Sequence, residues 1–399
     1  MFFSLALPGE TRFGCNRLQE LPEILAHAGG RVALAHGGES YTATGLRERM
    51  LALCAEAGVG VIELPPQTRE PEPEDVDAGA AQARAEGARL VVAIGGGSVL
   101  DLGKAVAALA TQDPAYAVRA YLEGVGDGRA LGPAPLPFIA IPTTAGTGSE
   151  ATKNAVISSS REGFKKSLRD PRMMADVAII DPELTLGLPP HLTAHTGLDA
   201  LTQLIEAYTS LRAQPVTNAL ALRGIEAARA LPRAFYDGND RDAREAVSLA
   251  SYLSGVCLAN AGLGAAHGIA AALGSVAPIG HGLACALALP WVMAINLPVV
   301  TERYAEIAAV VTGEPCSNAH DGAVAAVRYV WQLLQELDIP RAIHVPGLAA
   351  ALQEDQLPRL ARLCQGNSLR GNPRALTESD LLTVLRAMRD ASDPCALLG

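Results

Sequence analysis

Asp199 and Gln203 stand four residues apart in an apolar segment, so one face of a helix presents both side chains. Leu198, Leu201, Leu204, Ile205 and Tyr208 give that helix surface to bury, and a carboxylate placed among them needs a partner. His267 and His281 add neutral nitrogen donors. With a carboxylate they suit a divalent transition metal better than calcium or magnesium. Taken alone, a histidine beside glycine is more often structural than ligating. A second chemistry belongs to Gly95-Gly96-Gly97-Ser98, which follows an apolar run ending at Ile94 and opens a helical stretch from Val99 to Ala110. Glycines let a backbone approach a ligand closely, and the free N–H groups of a helix start attract phosphate. The run is not G-x-G-x-x-G, so the standard dinucleotide fingerprint is absent. The phrase from Ile141 to Thr152 sends small hydroxyl residues and glycines out of another strand end, where open α/β sheets bind ligands.

The elements that must hold these groups fall into two kinds. Residues 31–36, 59–64, 89–94 and 137–141 are nearly continuous apolar runs, as expected of parallel strands covered on both faces. Helical periodicity between them, at 44–57 and 75–87, predicts a doubly wound sheet. Residues 154–158 and 165–168 read as a β-hairpin, and 176–180 as a last strand. From Pro182 the chain turns to long Ala/Leu-rich helical segments. The fold class is therefore α/β plus all-α, with an α/β dinucleotide-binding domain over 1–184 and a helical metal and substrate domain over 185–399. A net charge of −10 argues against a nucleic-acid partner. Seven cysteines without C-x-x-C spacing read as free thiols in a reducing, cytoplasmic compartment. No basic leader precedes an apolar run, and no uninterrupted apolar stretch reaches membrane-spanning length, so neither a signal peptide nor a membrane span is expected.

The phrases also resemble one known family, the iron-containing (group III) alcohol dehydrogenases. Residues 95–104, Gly-Gly-Gly-Ser-Val-Leu-Asp-Leu-Gly-Lys, match its G-G-G-S-x-x-D-x-x-K signature at every fixed position. Residues 141–152 are nearly identical to its second cofactor phrase. Residues 195–203 resemble its metal-binding helix, and 264–274 with 280–282 resemble its second metal segment. The resemblance continues through Ile180–Thr185 and Asn372-Pro373-Arg374, so it spans nearly the whole chain. It implies an NAD(P)-dependent alcohol dehydrogenase or aldehyde reductase with its active site in a cleft between the domains. Hydride would pass between nicotinamide and a small alcohol or aldehyde while a metal polarises the oxygen. Gly95, Gly96, Gly97 and Ser98 would hold the cofactor pyrophosphate, and Thr143, Thr144 and Thr147 its phosphates or ribose. Asp101 would order the nicotinamide side, although an Asp101–Lys104 helix pair is the simpler reading of the spacing. Asp199, His267 and His281 would bind Fe(II) or Zn(II), with Gln203 assisting. Without a metal, His267 or His281 would donate to the substrate oxygen. Dimers are common in the family.

Two positions depart from the family pattern. Gln203 stands where the family has a metal-ligating His, and Ala271 where it has a His near the nicotinamide. Three readings of Gln203 stay open. Its amide serves as a weaker ligand or water holder. Alternatively, three ligands suffice, as in the glycerol dehydrogenase and dehydroquinate synthase relatives. In the third, the metal is lost, as in maleylacetate reductases. A catalytically silent nucleotide-binding protein is the alternative from another class. Ala271 dries the pocket and moves proton exchange elsewhere. Gly37 aligns with an Asp of NAD-preferring relatives. Glycine there removes repulsion against a 2′-phosphate, so NADP fits as well as NAD, while Glu39 is the other candidate reader of the ribose diol.

Overall fold

The computed structural model describes residues 2–26, 29–159 and 161–398. The chain forms two compact units. One comprises 6–144 and 148–185; the other comprises 145–147 and the chain from Leu186 onward, with the first residues as far as Leu5.

The first unit is the expected α/β unit. Its strands are β1 Glu10–Phe13, β2 Arg31–His36, β3 Gly60–Glu63, β4 Ala88–Gly95, β5 Phe138–Pro142, β6 Asn154–Ser159, β7 Phe164–Arg169 and β8 Val177–Ile180. Six form one sheet in the order β1-β8-β5-β4-β2-β3, with every neighbouring pair parallel. The period-2 alternation of strands sorts their side chains between two cores. Val32, Leu34, Val92, Ile94, Ile139 and Ile141 pack with Met50, Leu53 and Cys54 of the helix Leu46–Glu56. Ala33, Ala35, Val91, Ala93 and Ala140 pack with Val76 and Ala80 of the helix Pro73–Ala85 and with Val106 of the helix Gly97–Leu109. Small residues on that face let the last helix approach closely. A Cβ on Gly103 would lie 2.6 Å from the Ala93 Cβ. The hairpin β6–β7 forms as expected, with Asn154 opposite Arg169. Strand β1 was not legible in the sequence. It is an edge strand, parallel to β8, and its Glu-Thr-Arg-Phe is only partly buried.

Strand order places the ligand end. From β2 the chain runs outward to β3, then returns to β4 on the other side of β2 and continues to β5. The connections leaving β2 and β4 thus diverge, and a crevice opens at the carboxyl ends of these strands. Gly37 follows β2, Gly95 ends β4 with Gly96–Ser98 leading into the next helix, and Thr143–Thr144 follow β5, with the Thr143 N–H donating to the Gly95 carbonyl at 3.0 Å. The helix Gly97–Leu109 begins at Gly96 with no side chain capping its first N–H groups, as a phosphate cradle requires. A Cβ on Gly37 would meet nothing within 4 Å.

Beyond this turn Glu150 is 2% exposed. Burial lifts its carboxyl from the ordinary 4.5 to about 7, against the pull of its own backbone N–H and Lys104. The folded chain therefore keeps this proton where the unfolded chain has released it. Stability from this group falls as pH rises from 4.5 to about 7 and is flat above. Glu150→Gln is expected to remove that slope and to gain up to about 3 kcal/mol over wild type at pH 8. Urea unfolding of both proteins at pH 5 and pH 8 checks it; equal pH slopes would contradict it.

The second unit is helical. Its main helices are Pro190–Thr209, Pro215–Ala228, Arg241–Ala261, Ala265–Val276, His281–Thr312, Ala319–Glu336 and Glu378–Asp390. The helix His281–Thr312 is long and apolar enough to cross a bilayer, but burial inside the unit accounts for its composition: every residue from Leu283 to Ala294 is buried. Pro298 precedes a break at Val300, the physical cause of its kink.

Candidate metal centre

Asp199, Gln203 and Glu206 lie along one side of the helix Pro190–Thr209 and are 2%, 2% and 5% exposed. Buried polar groups demand partners. The Gln203 Oε1 accepts from Ser254 Oγ at 2.8 Å. Glu206 accepts from the Ala266 N–H and meets His267 Nδ1, both at 2.6 Å. It thereby caps the helix Ala265–Val276 and sets the His267 ring. Nδ1–H is committed to Glu206, so Nε2 faces Asp199 Oδ1, 3.4 Å away, and is the ring nitrogen that can take a metal or a second proton. Neither atom has a hydrogen-bond partner. Two buried acceptors held face to face need a cation or a proton between them. His281 Nε2 stands 3.9 Å from the same oxygen, and Cys285 Sγ 3.8 Å from His281 Nε2. One ligand atom from each of Asp199, His267, His281 and Cys285 falls within 4.8 Å of all the others.

The local field suits a cation. Burial works to raise the Asp199 carboxyl, but His281 and His267 outweigh it and hold it at about 2. Burial likewise opposes charge on His267, yet its acidic neighbours Cys285, Glu206 and Asp199 keep it protonated well above the usual imidazole range. Burial pushes the Cys285 thiol up to about 12 in the metal-free chain.

Glycine brings the two metal-bearing helices together. A Cβ on Gly282 would sit 2.2 Å from the His195 carbonyl oxygen and 3.4 Å from the Asp199 Cβ. Gly282→Ala must therefore push the first turn of the His281 helix away from Asp199. The expected results are a stability loss of about 1–3 kcal/mol and zinc affinity lowered about tenfold or more. Equilibrium dialysis checks the second, and unchanged affinity would contradict it.

The structure thus gathers Asp199, His267 and His281, as expected, and keeps Gln203 one turn further along with its oxygen on Ser254. Ala271 is exposed. Sequence reasoning missed Glu206 and Cys285. The readable signals were an acid seven residues beyond Asp199 in the same apolar stretch, and a cysteine four beyond His281. In the α/β unit, Asp101 accepts from Ser149 Oγ at 2.6 Å and the Val156 N–H at 3.0 Å, with Lys104 Nζ at 3.7 Å. It ties its helix to the turn and to the hairpin. Thr143 and Thr144 belong to that unit, whereas Thr147 belongs to the helical one.

A glycine turn at the switch point of a parallel sheet, in a chain that also carries a buried carboxylate–histidine cluster, is what a nucleotide-dependent enzyme with a metal centre requires. Residues 8–182 match the family described as iron-containing alcohol dehydrogenase. Residues 193–389 match the Fe-containing alcohol dehydrogenase family, C-terminal. The chain is 38% identical over 338 residues to a probable alcohol dehydrogenase EutG of Salmonella typhimurium, covering 84% of this chain and 81% of that one. It superposes on a crystal structure of 1,3-propanediol oxidoreductase with TM-score 0.90 and 30% identity, covering 97% of this chain and 100% of the other. It also superposes on sulfoacetaldehyde reductase from Bifidobacterium kashiwanohense in complex with NAD+, with TM-score 0.86 and 28% identity over 98% and 100% of the two chains. The chain belongs to the iron-containing alcohol dehydrogenase family. It is an oxidoreductase acting on CH–OH groups.

Proposed function

We propose that this chain interconverts a small primary alcohol or diol and its aldehyde, with NAD as hydride acceptor and a divalent metal at Asp199, His267 and His281. The observation that carries the reading is the buried cluster of Asp199, His267, His281 and Cys285, in which neither Asp199 Oδ1 nor His267 Nε2 has a hydrogen-bond partner among the described residues. When bound there, the metal supplies Lewis-acid polarisation of the substrate oxygen. Asp199 provides the negative charge that holds it. His267 offers Nε2 because Glu206 holds Nδ1–H, the carboxylate–histidine arrangement that raises ligand basicity. His281, a third exposed at its side chain, is the ligand nearest solvent. The uncapped helix start at Gly96–Ser98 receives the cofactor phosphates. Open space at Gly37 leaves room for a 2′-phosphate, so NADP is a second acceptor. Seven free thiols fit a reducing, cytoplasmic setting.

A small-alcohol substrate agrees with what the similar proteins are named for, propanediol and sulfoacetaldehyde. The test is reduction of NAD and of NADP by a panel of primary alcohols and diols, with enzyme loaded with Fe(II) or Zn(II). Turnover of at least one primary alcohol is expected. Nucleotide binding with no turnover on any alcohol or aldehyde would move the chain to a silent nucleotide-binding role.

A further inference from the structure

Cys285 is fully buried on the helix His281–Thr312, one turn beyond His281. Buried cysteine is ordinarily a small hydrophobe, and two others in this unit behave so. Cys257 and Cys364 aim their sulfurs at backbone carbonyls, Thr217 O and Leu360 O. Cys285 instead meets a histidine nitrogen, His281 Nε2 at 3.8 Å, and its sulfur shares the 4.8 Å cluster with Asp199 and His267. Metal bonds of about 2.0–2.3 Å to oxygen, nitrogen and sulfur set tetrahedral ligand–ligand edges of about 3.3–3.6 Å. Three of the six separations here are 3.4, 3.9 and 3.8 Å, close to those edges before any ion draws the donors in, and the others lie within 4.8 Å. Two further donors of the cluster, Asp199 Oδ1 and His267 Nε2, are buried and unpartnered, an independent sign that it faces a ligand. Gln203 is the rival for the fourth position. Its oxygen already accepts from Ser254 Oγ at 2.8 Å, which takes one of its two lone pairs, and its NH2 group has none to give.

We propose that the Cys285 thiolate, not the Gln203 amide, is the fourth protein ligand of the metal, forming an Asp-His-His-Cys site. This rests on the metal-dependent reading above. On binding, the Cys285 S–H bond breaks, a sulfur–metal bond forms and the proton passes to solvent. A thiolate softens the donor set, so zinc and cobalt(II) are held in preference to manganese or magnesium.

Cobalt(II) is the probe, because it fits zinc sites and reports its ligands by absorption. Metal-free full-length protein is titrated with cobalt(II), and bound metal and the near-ultraviolet spectrum are read together. The expected result is one cobalt per chain with an intense sulfur-to-cobalt charge-transfer band. Cys285→Ser and Cys285→Ala are expected to lose the band and bind cobalt at least about tenfold more weakly, while Gln203→Leu keeps the band. One bound cobalt without the band, or a band that survives both Cys285 variants, overturns the assignment and leaves the three-ligand site standing. No cobalt bound to folded wild-type protein overturns the metal-dependent reading itself. The wild-type spectrum decides the matter even if a variant fails to fold.

Discussion

Asp199→Asn is expected to lower kcat about 10³-fold and to abolish metal retention through dialysis. On the proposed reading the Asp199 carboxylate supplies the charge that balances the metal, and its oxygen lies near both histidine nitrogens. An amide keeps the shape but removes the charge that balances a divalent ion, so polarisation of the substrate oxygen is lost with the ion. The metal-free fold also loses something, the attraction between the buried carboxylate and the two histidines. The clearest signature is therefore differential. Zinc raises the Tm of wild type by mass action but leaves that of Asp199→Asn unchanged. Thermal melts with and without zinc, beside steady-state rates, check both halves. A variant that keeps its metal and its rate would remove Asp199 from the site.

The second large effect lies in the α/β unit. Lys104 is 1% exposed and donates to Ser149 O, Ser149 Oγ, Thr152 Oγ1 and Asn154 O at 2.8, 3.0, 2.9 and 2.8 Å. Burial pulls the ammonium below its ordinary value, and Asp101 and Glu150 pull the other way. Lys104→Met fills similar volume but takes one donor from each of those oxygens and leaves Asp101 without its countercharge. Breaking a buried pair in this way costs about 3–5 kcal/mol. Urea unfolding is expected to show that loss, with zinc affinity of the folded variant unchanged because the ligands lie in the other unit. A change below about 1 kcal/mol would mean that the lysine is dispensable.

Why some of this was readable in the sequence and some was not follows from the physics of each element. Strands β2, β4 and β5 are buried on both faces and announce themselves as apolar runs. Strand β1 meets a partner on one side only, so nothing in Glu-Thr-Arg-Phe needed to be apolar. Asp199, His267 and His281 were legible through residue type and phrase, and the fold gathers them. Glu206 and Cys285 were not, because an acid or a cysteine in an apolar helix acquires meaning only when another helix supplies its partner. His267 gives Glu206 its role across 61 residues. Residues 145–147 show the same limit: continuous in sequence with the α/β phrase, they pack with the helical unit, where a Cβ on Gly146 would lie 2.6 Å from the Thr196 Cβ.

Metal dependence is read by elemental analysis of protein purified without chelator, with alcohol-dependent NAD reduction measured before chelation, after it, and after metal is restored. About one iron or zinc per chain is expected, with activity lost with the metal and recovered with it. Metal-free protein that turns over alcohols at the same rate would contradict it and leave His267 and His281 as hydrogen-bond donors to the substrate oxygen.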